Sequence, residues 1–267
     1  MARAAIEHAC PDPPLHTVLE LRNTVWAVPV MVTDQKEVRI SVSTSEDDLL
    51  NYEIYSSESE SKTVHCQGEA AFVQKRTTPR VDVARLRKEM AHSTLNAADV
   101  YGILNGIGLQ YGPSHQGIAR IDLNGNELAA RLHLPATCAA RRSEYVLHPS
   151  VMDSALQSTI GLIVKAGPAP SAPVMPFAVG SVCIFAPCVD EMIAWVRHSE
   201  NSSVEQSVLT FDIDLCDLGG SVCVELRDLS LRILGGKTVT FDEAFYQKLI
   251  ADVSNHQVTA DEALALS

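Results

Sequence analysis

His148-Pro149-Ser150-Val151-Met152-Asp153-Ser154-Ala155-Leu156-Gln157 sets a carboxylic acid and a side-chain amide four residues apart at the head of an apolar run. A helix turns every ~3.6 residues, so Asp153 and Gln157 share one face and the amide can fix the orientation of the carboxyl group. Pro149 suits a first helical position, where a backbone N–H would have no intrahelical partner. Downstream, Ala155, Leu156, Ile160, Leu162, Ile163 and Val164 leave almost no polar face, the composition of a helix wrapped by other structure. The pattern predicts one helix from Pro149 to about Lys165. Burial in such a place raises a carboxyl pKa, whereas proximity to a helix N-terminus lowers it. The balance makes Asp153 a usable proton donor near neutral pH. Capping and dipole compensation account for an Asp in a first helical turn equally well, so this segment alone leaves both readings open.

Working outward, Gly108-Leu109-Gln110-Tyr111-Gly112-Pro113-Ser114-His115-Gln116-Gly117 lies upstream and Met175-Pro176-Phe177-Ala178-Val179 downstream. In this order the three segments resemble the dehydratase domains of modular polyketide synthases. In that family a YGP turn precedes a strand, an HPxxxDxxxQ segment opens a hot-dog helix, and a strand containing PF follows. The first two motifs together are specific and the third is weak alone. The likeness runs from about Leu15 to Leu234.

Composition agrees with a globular chain. The 267 residues are 46% hydrophobic and 20% charged, enough for one large core or two small fused ones. No apolar run reaches the length of a membrane span, and Met1 to Cys10 lacks the pattern of a signal peptide, which points to a cytoplasmic protein. Seven cysteines are scattered without CxxC spacing or paired histidines, so they read as buried small side chains in a reducing compartment, with no metal site. A net charge of −12 and no basic stripe argue against nucleic-acid binding.

The chain divides into two similar halves. Residues 1–75 open with an Ala-rich helix, stopped by Pro11, Pro13 and Pro14. Strand-like segments follow at 18–21, 24–32, 37–43, 52–56 and 63–73, separated by polar turns. Residues 76–96 read as a linker, and with Lys75 they hold six basic side chains, Lys75, Arg76, Arg80, Arg85, Arg87 and Lys88. Such a run marks a solvated connector with one short helix, or else a docking patch for an acidic carrier protein. Residues 97–236 repeat the scheme: a helix at 97–105 ended by Gly106 and Gly108, strands at 117–123 and 127–134, the long helix, and strands at 174–185, 192–198, 206–215 and 221–233. Residues 237–267 read as a helical, charged connector to a further domain. Helices followed by runs of strands predict an α+β class. The resemblance makes this a double hot dog, two curved antiparallel sheets each around a central helix, the first incomplete.

The resemblance also implies the chemistry. A family member removes water from a β-hydroxyacyl thioester carried on the phosphopantetheine of an acyl carrier protein, with no cofactor of its own. Asp153 takes the role of the acid, Gln157 orients it, and Tyr111 lies near the substrate hydroxyl. Gly112, Pro113, His148, Pro176 and Phe177 match positions around the bound chain, His148 having a more structural part. Neighbouring synthase domains and a second copy of the chain are the other implied partners.

The family's base is a histidine ahead of an LPG-type turn and the first hot-dog helix, whose later part resembles Met1 to Ala5. No histidine of this sequence matches it: His8 and His16 follow the point where it belongs, and His115 fills a packing position of the YGP motif. His65, His92, His133, His198 and His256 have no motif around them. The expectation is an N-terminally truncated dehydratase, inactive alone. The alternatives are a non-catalytic carrier-binding remnant and an enoyl isomerase that shifts the double bond. Retention of Asp153 favours dehydration over the latter.

Overall fold

The computed structural model describes residues 1–44, 49–58, 61–90, 92–167, 170–200 and 208–233. The connector expected at 237–267 and the acidic turn at 45–48 lie outside them. In chain order the elements are α1 (Ala2–Ala9), β1 (Thr17–Trp26), β2 (Arg39–Thr44), β3 (Leu50–Glu58), β4 (Ser61–Gln74), α2 (Val83–Glu89), β5 (Ser93–Asn96), α3 (Ala97–Gly106), β6 (Ile118–Asn124), β7 (Glu127–His133), α4 (Pro149–Gln157), α5 (Ile160–Ala166), β8 (Val174–Ile184), β9 (Glu191–His198), β10 (Val208–Cys216) and β11 (Val222–Ile233). Stretches of 3-10 helix cover Pro113–His115 and Ala136–Glu144. The class is α+β, as helices followed by runs of strands predict.

The described residues separate into two compact units, one of residues 1–75 with Phe177–Cys183, the other of Arg76–Pro176 with residues 184–233. In the first, the antiparallel order is β2-β3-β4-β1, with β8 beside β1. The sequence suggests two segments where β1 is one strand. Its register against β4 slips between Arg22 and Val25, and Asn23 stands at φ 49°, so a bulge absorbs the polar Arg22-Asn23 interruption. The strand ends at Trp26, short of the expected Val32, because Pro29 has no N–H to give a ladder. Ile6 of α1 is fully buried, and so is Tyr52 of β3, whose hydroxyl meets Thr24 Oγ1 at 2.6 Å.

In the second unit the order is β11-β10-β9-β7-β6-β5. The α4–α5 pair packs on β6 and β7 so closely that a Cβ on Gly161 would stand 2.9 Å from Leu128 Cδ2 and 3.2 Å from Ile121 Cγ2. The single long helix expected at 149–165 is interrupted at Ser158-Thr159. There the two hydroxyls donate to Ala155 O (2.6 Å) and Leu156 O (2.7 Å), and the backbone tightens into bonds from Gly161 N–H to Ser158 O and from Leu162 N–H to Thr159 O.

Residues 76–96, read from sequence as a linker, carry α2 and β5 and cluster with the second unit. Val83, Leu86 and Met90 recur at helical spacing and, with Val81 just before the helix, pack against Ile193, Cys216 and Val222. Cys216 and its neighbour Leu215 are both fully buried, so β10 is covered on both faces. Of the basic side chains in this stretch, Arg76 pairs with Glu225, Arg80 donates to Gly219 O, and Arg85 pairs with Glu89 and Glu127. β8 is likewise divided: its middle belongs to the first unit, although the sequence reading placed all of it in the second half.

Candidate active site

The site is assembled within the second unit. A capping box starts α3: Asn96 Oδ1 accepts from Asp99 N–H at 3.1 Å, and Asp99 Oδ2 accepts from Asn96 N–H at 3.0 Å. The helix stops in a Schellman turn, with Gly108 at φ 88°, its N–H on Asn105 O and the Leu109 N–H on Leu104 O. That reversal delivers Tyr111-Gly112-Pro113. Gly112 precedes the 3-10 turn Pro113–His115, whose His115 N–H returns to Gly112 O at 2.9 Å, and the Gln116 amide donates to Tyr111 O at 2.8 Å.

The other wall is α4. His148 is its N-cap, and its Nδ1 accepts from Ser150 N–H at 3.2 Å. Nδ1 is therefore unprotonated, in keeping with burial, which lowers the His148 pKa, helped by His115 and Arg141 nearby. One turn later Asp153 accepts through Oδ2 from Gln157 Nε2 at 2.7 Å. The second hydrogen of that amide goes to His115 O at 3.0 Å. A backbone carbonyl only accepts, so this contact fixes which end of the Gln157 amide faces Asp153. Burial raises the Asp153 pKa, opposed by the Gln157 bond and by the charge of His115. Tyr111 is also raised, by burial first and then by Asp153 and Tyr101, so its phenol stays protonated.

Asp153, Gln157, Tyr111 and Pro176 line one cavity, whose remaining wall is apolar apart from Thr159 and includes Leu109, Ile160 and Val174. Of the other residues marked in the sequence, Gly112 and Pro113 are exposed in the turn, His148 is buried as a cap, and Phe177 falls in the first unit. These four are not among the residues lining that cavity.

Sequence reasoning passed over Tyr101. Its hydroxyl accepts from Ile118 N–H at 3.0 Å and donates to Gln157 Oε1 at 3.3 Å, and its ring stands edge-on to Tyr111 with centroids 6.4 Å apart. The available signal was a lone phenol among the apolar residues Val100, Ile103 and Leu104 of α3, ahead of the glycines that end it.

Residues 78–240 match the family model described as polyketide synthase dehydratase N-terminal domain. The chain belongs to the polyketide synthase dehydratase family. This dehydratase-family chain is 35% identical over 246 residues to polyketide synthase PksM of Bacillus subtilis (strain 168), a match covering 89% of the chain and 6% of that relative. To PksL of the same organism it is 34% identical over 242 residues, 88% of the chain and 5% of the relative. The chain thus spans a small part of the curated relatives it matches. A solved dehydratase domain of a trans-AT polyketide synthase from Brevibacillus brevis is 33% identical with a TM-score of 0.81, over 88% of this chain and 83% of that one. The dehydratase domain of RzxB from Pseudomonas fluorescens, 22% identical with a TM-score of 0.77 over 87% of this chain and 82% of that one, shares the fold. The family fold is thus a pair of hot dogs, and among the described residues no helix is long and apolar enough to cross a membrane.

Proposed function

We propose that the chain binds a β-hydroxyacyl thioester, presented on the phosphopantetheine arm of an acyl carrier protein, and takes part in its dehydration with Asp153 as the acid. In that elimination the Cα–H and Cβ–O bonds break and the Cα=Cβ bond forms. A base takes the Cα proton, and the hydroxyl leaves as water with the proton from Asp153. The observation that supports this is the state of the carboxyl group. Oδ2 meets an N–H donor and must accept, so the proton of the neutral acid belongs on Oδ1, which has no hydrogen-bond partner among the described residues. The apolar cavity wall is suited to an acyl chain, and burial holds the acid toward its neutral form. Tyr111, protonated and in the same cavity, would hydrogen-bond the departing hydroxyl. The base is the family's histidine, which no motif of this sequence matches.

The test is mass spectrometry of a β-hydroxyacyl carrier protein incubated with the native gene product that carries this chain. Loss of one water is expected, and Asp153→Asn should slow it by about 10²–10⁴-fold. Carrier binding with no loss of water under any of these conditions would support a binding remnant. A double-bond shift without loss of water would support an isomerase.

A further inference from the structure

Gln157 does not hold Asp153 unaided. Its amide is occupied at both ends, by His115 O and Asp153 on the nitrogen side and by the Tyr101 hydroxyl on the oxygen side. Tyr101 is itself aimed by a buried backbone donor, because Ile118, fully buried at the start of β6, gives its N–H to the phenol oxygen. One directed chain results: Ile118 N–H to Tyr101 Oη, Tyr101 O–H to Gln157 Oε1, Gln157 N–H to Asp153 Oδ2. Each donor in such a chain polarises the next, so the last N–H is a better donor than an isolated amide.

We propose that Tyr101 is a positioning residue that acts through Gln157 to set the ionisation of Asp153 and to hold its free oxygen toward the cavity. Three elements thereby converge on one carboxyl group: the phenol from α3, the backbone donor from β6, and the acid with its amide from α4. The sign follows from the chain. The Gln157 bond favours the carboxylate, against burial, which favours the neutral acid. Removing the Tyr101 hydroxyl weakens the last donor and leaves Gln157 Oε1 and the Ile118 N–H without it, so the Asp153 pKa should rise further. Without Tyr101 the amide is also freer to turn away, which unfastens Oδ2. The phenol itself is kept protonated by burial and can donate throughout the working range.

The proposal rests on the reading of Asp153 as the acid, but its test involves no turnover and so fails or succeeds separately. The carboxyl carbon of Asp153 is titrated by NMR in the ligand-free chain labelled at aspartate carbons, as wild type, Tyr101→Phe, Gln157→Leu and the double variant. The expected result is a shift of the Asp153 midpoint to higher pH in Tyr101→Phe, with loss of slow exchange at the Gln157 side-chain amide. In the Gln157→Leu background the tyrosine substitution should add no further shift. An unchanged midpoint in a natively dispersed Tyr101→Phe spectrum overturns the proposal, and so does a shift of equal size in both backgrounds. Should Tyr101→Phe unfold, a 3-fluorotyrosine placed at position 101, a stronger donor of nearly the same shape, should move the midpoint down. No movement there overturns the proposal.

Discussion

At the residue scale, Asp153 shows function and stability opposed. Its folded-state pKa is raised, chiefly by burial, so the folded protein binds this proton more tightly than the unfolded chain. The contribution to stability is full below the unfolded value near 3.8 and is lost as pH rises through the folded value. Asp153→Asn, which keeps an acceptor for Gln157 and carries no charge, should therefore melt higher than wild type at pH 7. The difference should close as the pH falls below the ordinary aspartate range, as calorimetry across pH would show. The same substitution should lower the dehydration rate by about 10²–10⁴-fold, the usual contribution of a general acid. Gly117 makes a second case. A Cβ there would stand 2.7 Å from His133 O and 2.6 Å from Ser154 Oγ, so α4 or β7 must move to admit it. Gly117→Ala should cost about 1–3 kcal/mol in urea unfolding by overpacking. The pairing of Asp153 with Gln157 is legible in the sequence because it is local. Tyr101 is not, since its partners lie at positions 118 and 157 and no spacing rule connects them.

At the scale of elements, caps decide where the site residues stand. His148 belongs to a family motif, and its place here is the N-cap of α4. Its pKa is lowered by burial first, so the cap's contribution is present above the unfolded value of 6.5 and disappears as pH falls through the folded value, when Nδ1 gains a proton and stops accepting. His148→Ala should destabilise by about 1 kcal/mol at pH 8, the usual worth of an N-cap, with a smaller deficit in acid. Chemical denaturation at the two pH values would measure this. The end of α3 was legible from Gly106 and Gly108, because a left-handed turn has few residues to choose from. The interruption of the α4–α5 segment was hidden, because Ser158 and Thr159 are compatible with a helix until their hydroxyls find the carbonyls of the preceding turn.

At the scale of the whole molecule, charge density misleads about residues 76–96. Five basic side chains around a short apolar set look like a solvated connector, yet Leu86 and Met90 are as buried as any core residue. Leu86→Ala and Met90→Ala should each cost about 2–5 kcal/mol in urea unfolding, the range for large-to-small changes in a packed core. An exposed connector would show almost no change. By itself the sequence determined the α+β class, most strand positions and the acid–amide pair, because alternation, helical spacing and turn residues act over a few positions. Only the tertiary structure decided that β8 is divided between two units, that α2 covers β10, and that Tyr101 meets Gln157. Those are contacts between residues distant in the chain, set by which surfaces can bury each other and which buried donors must find an acceptor, and local pattern carries no record of them.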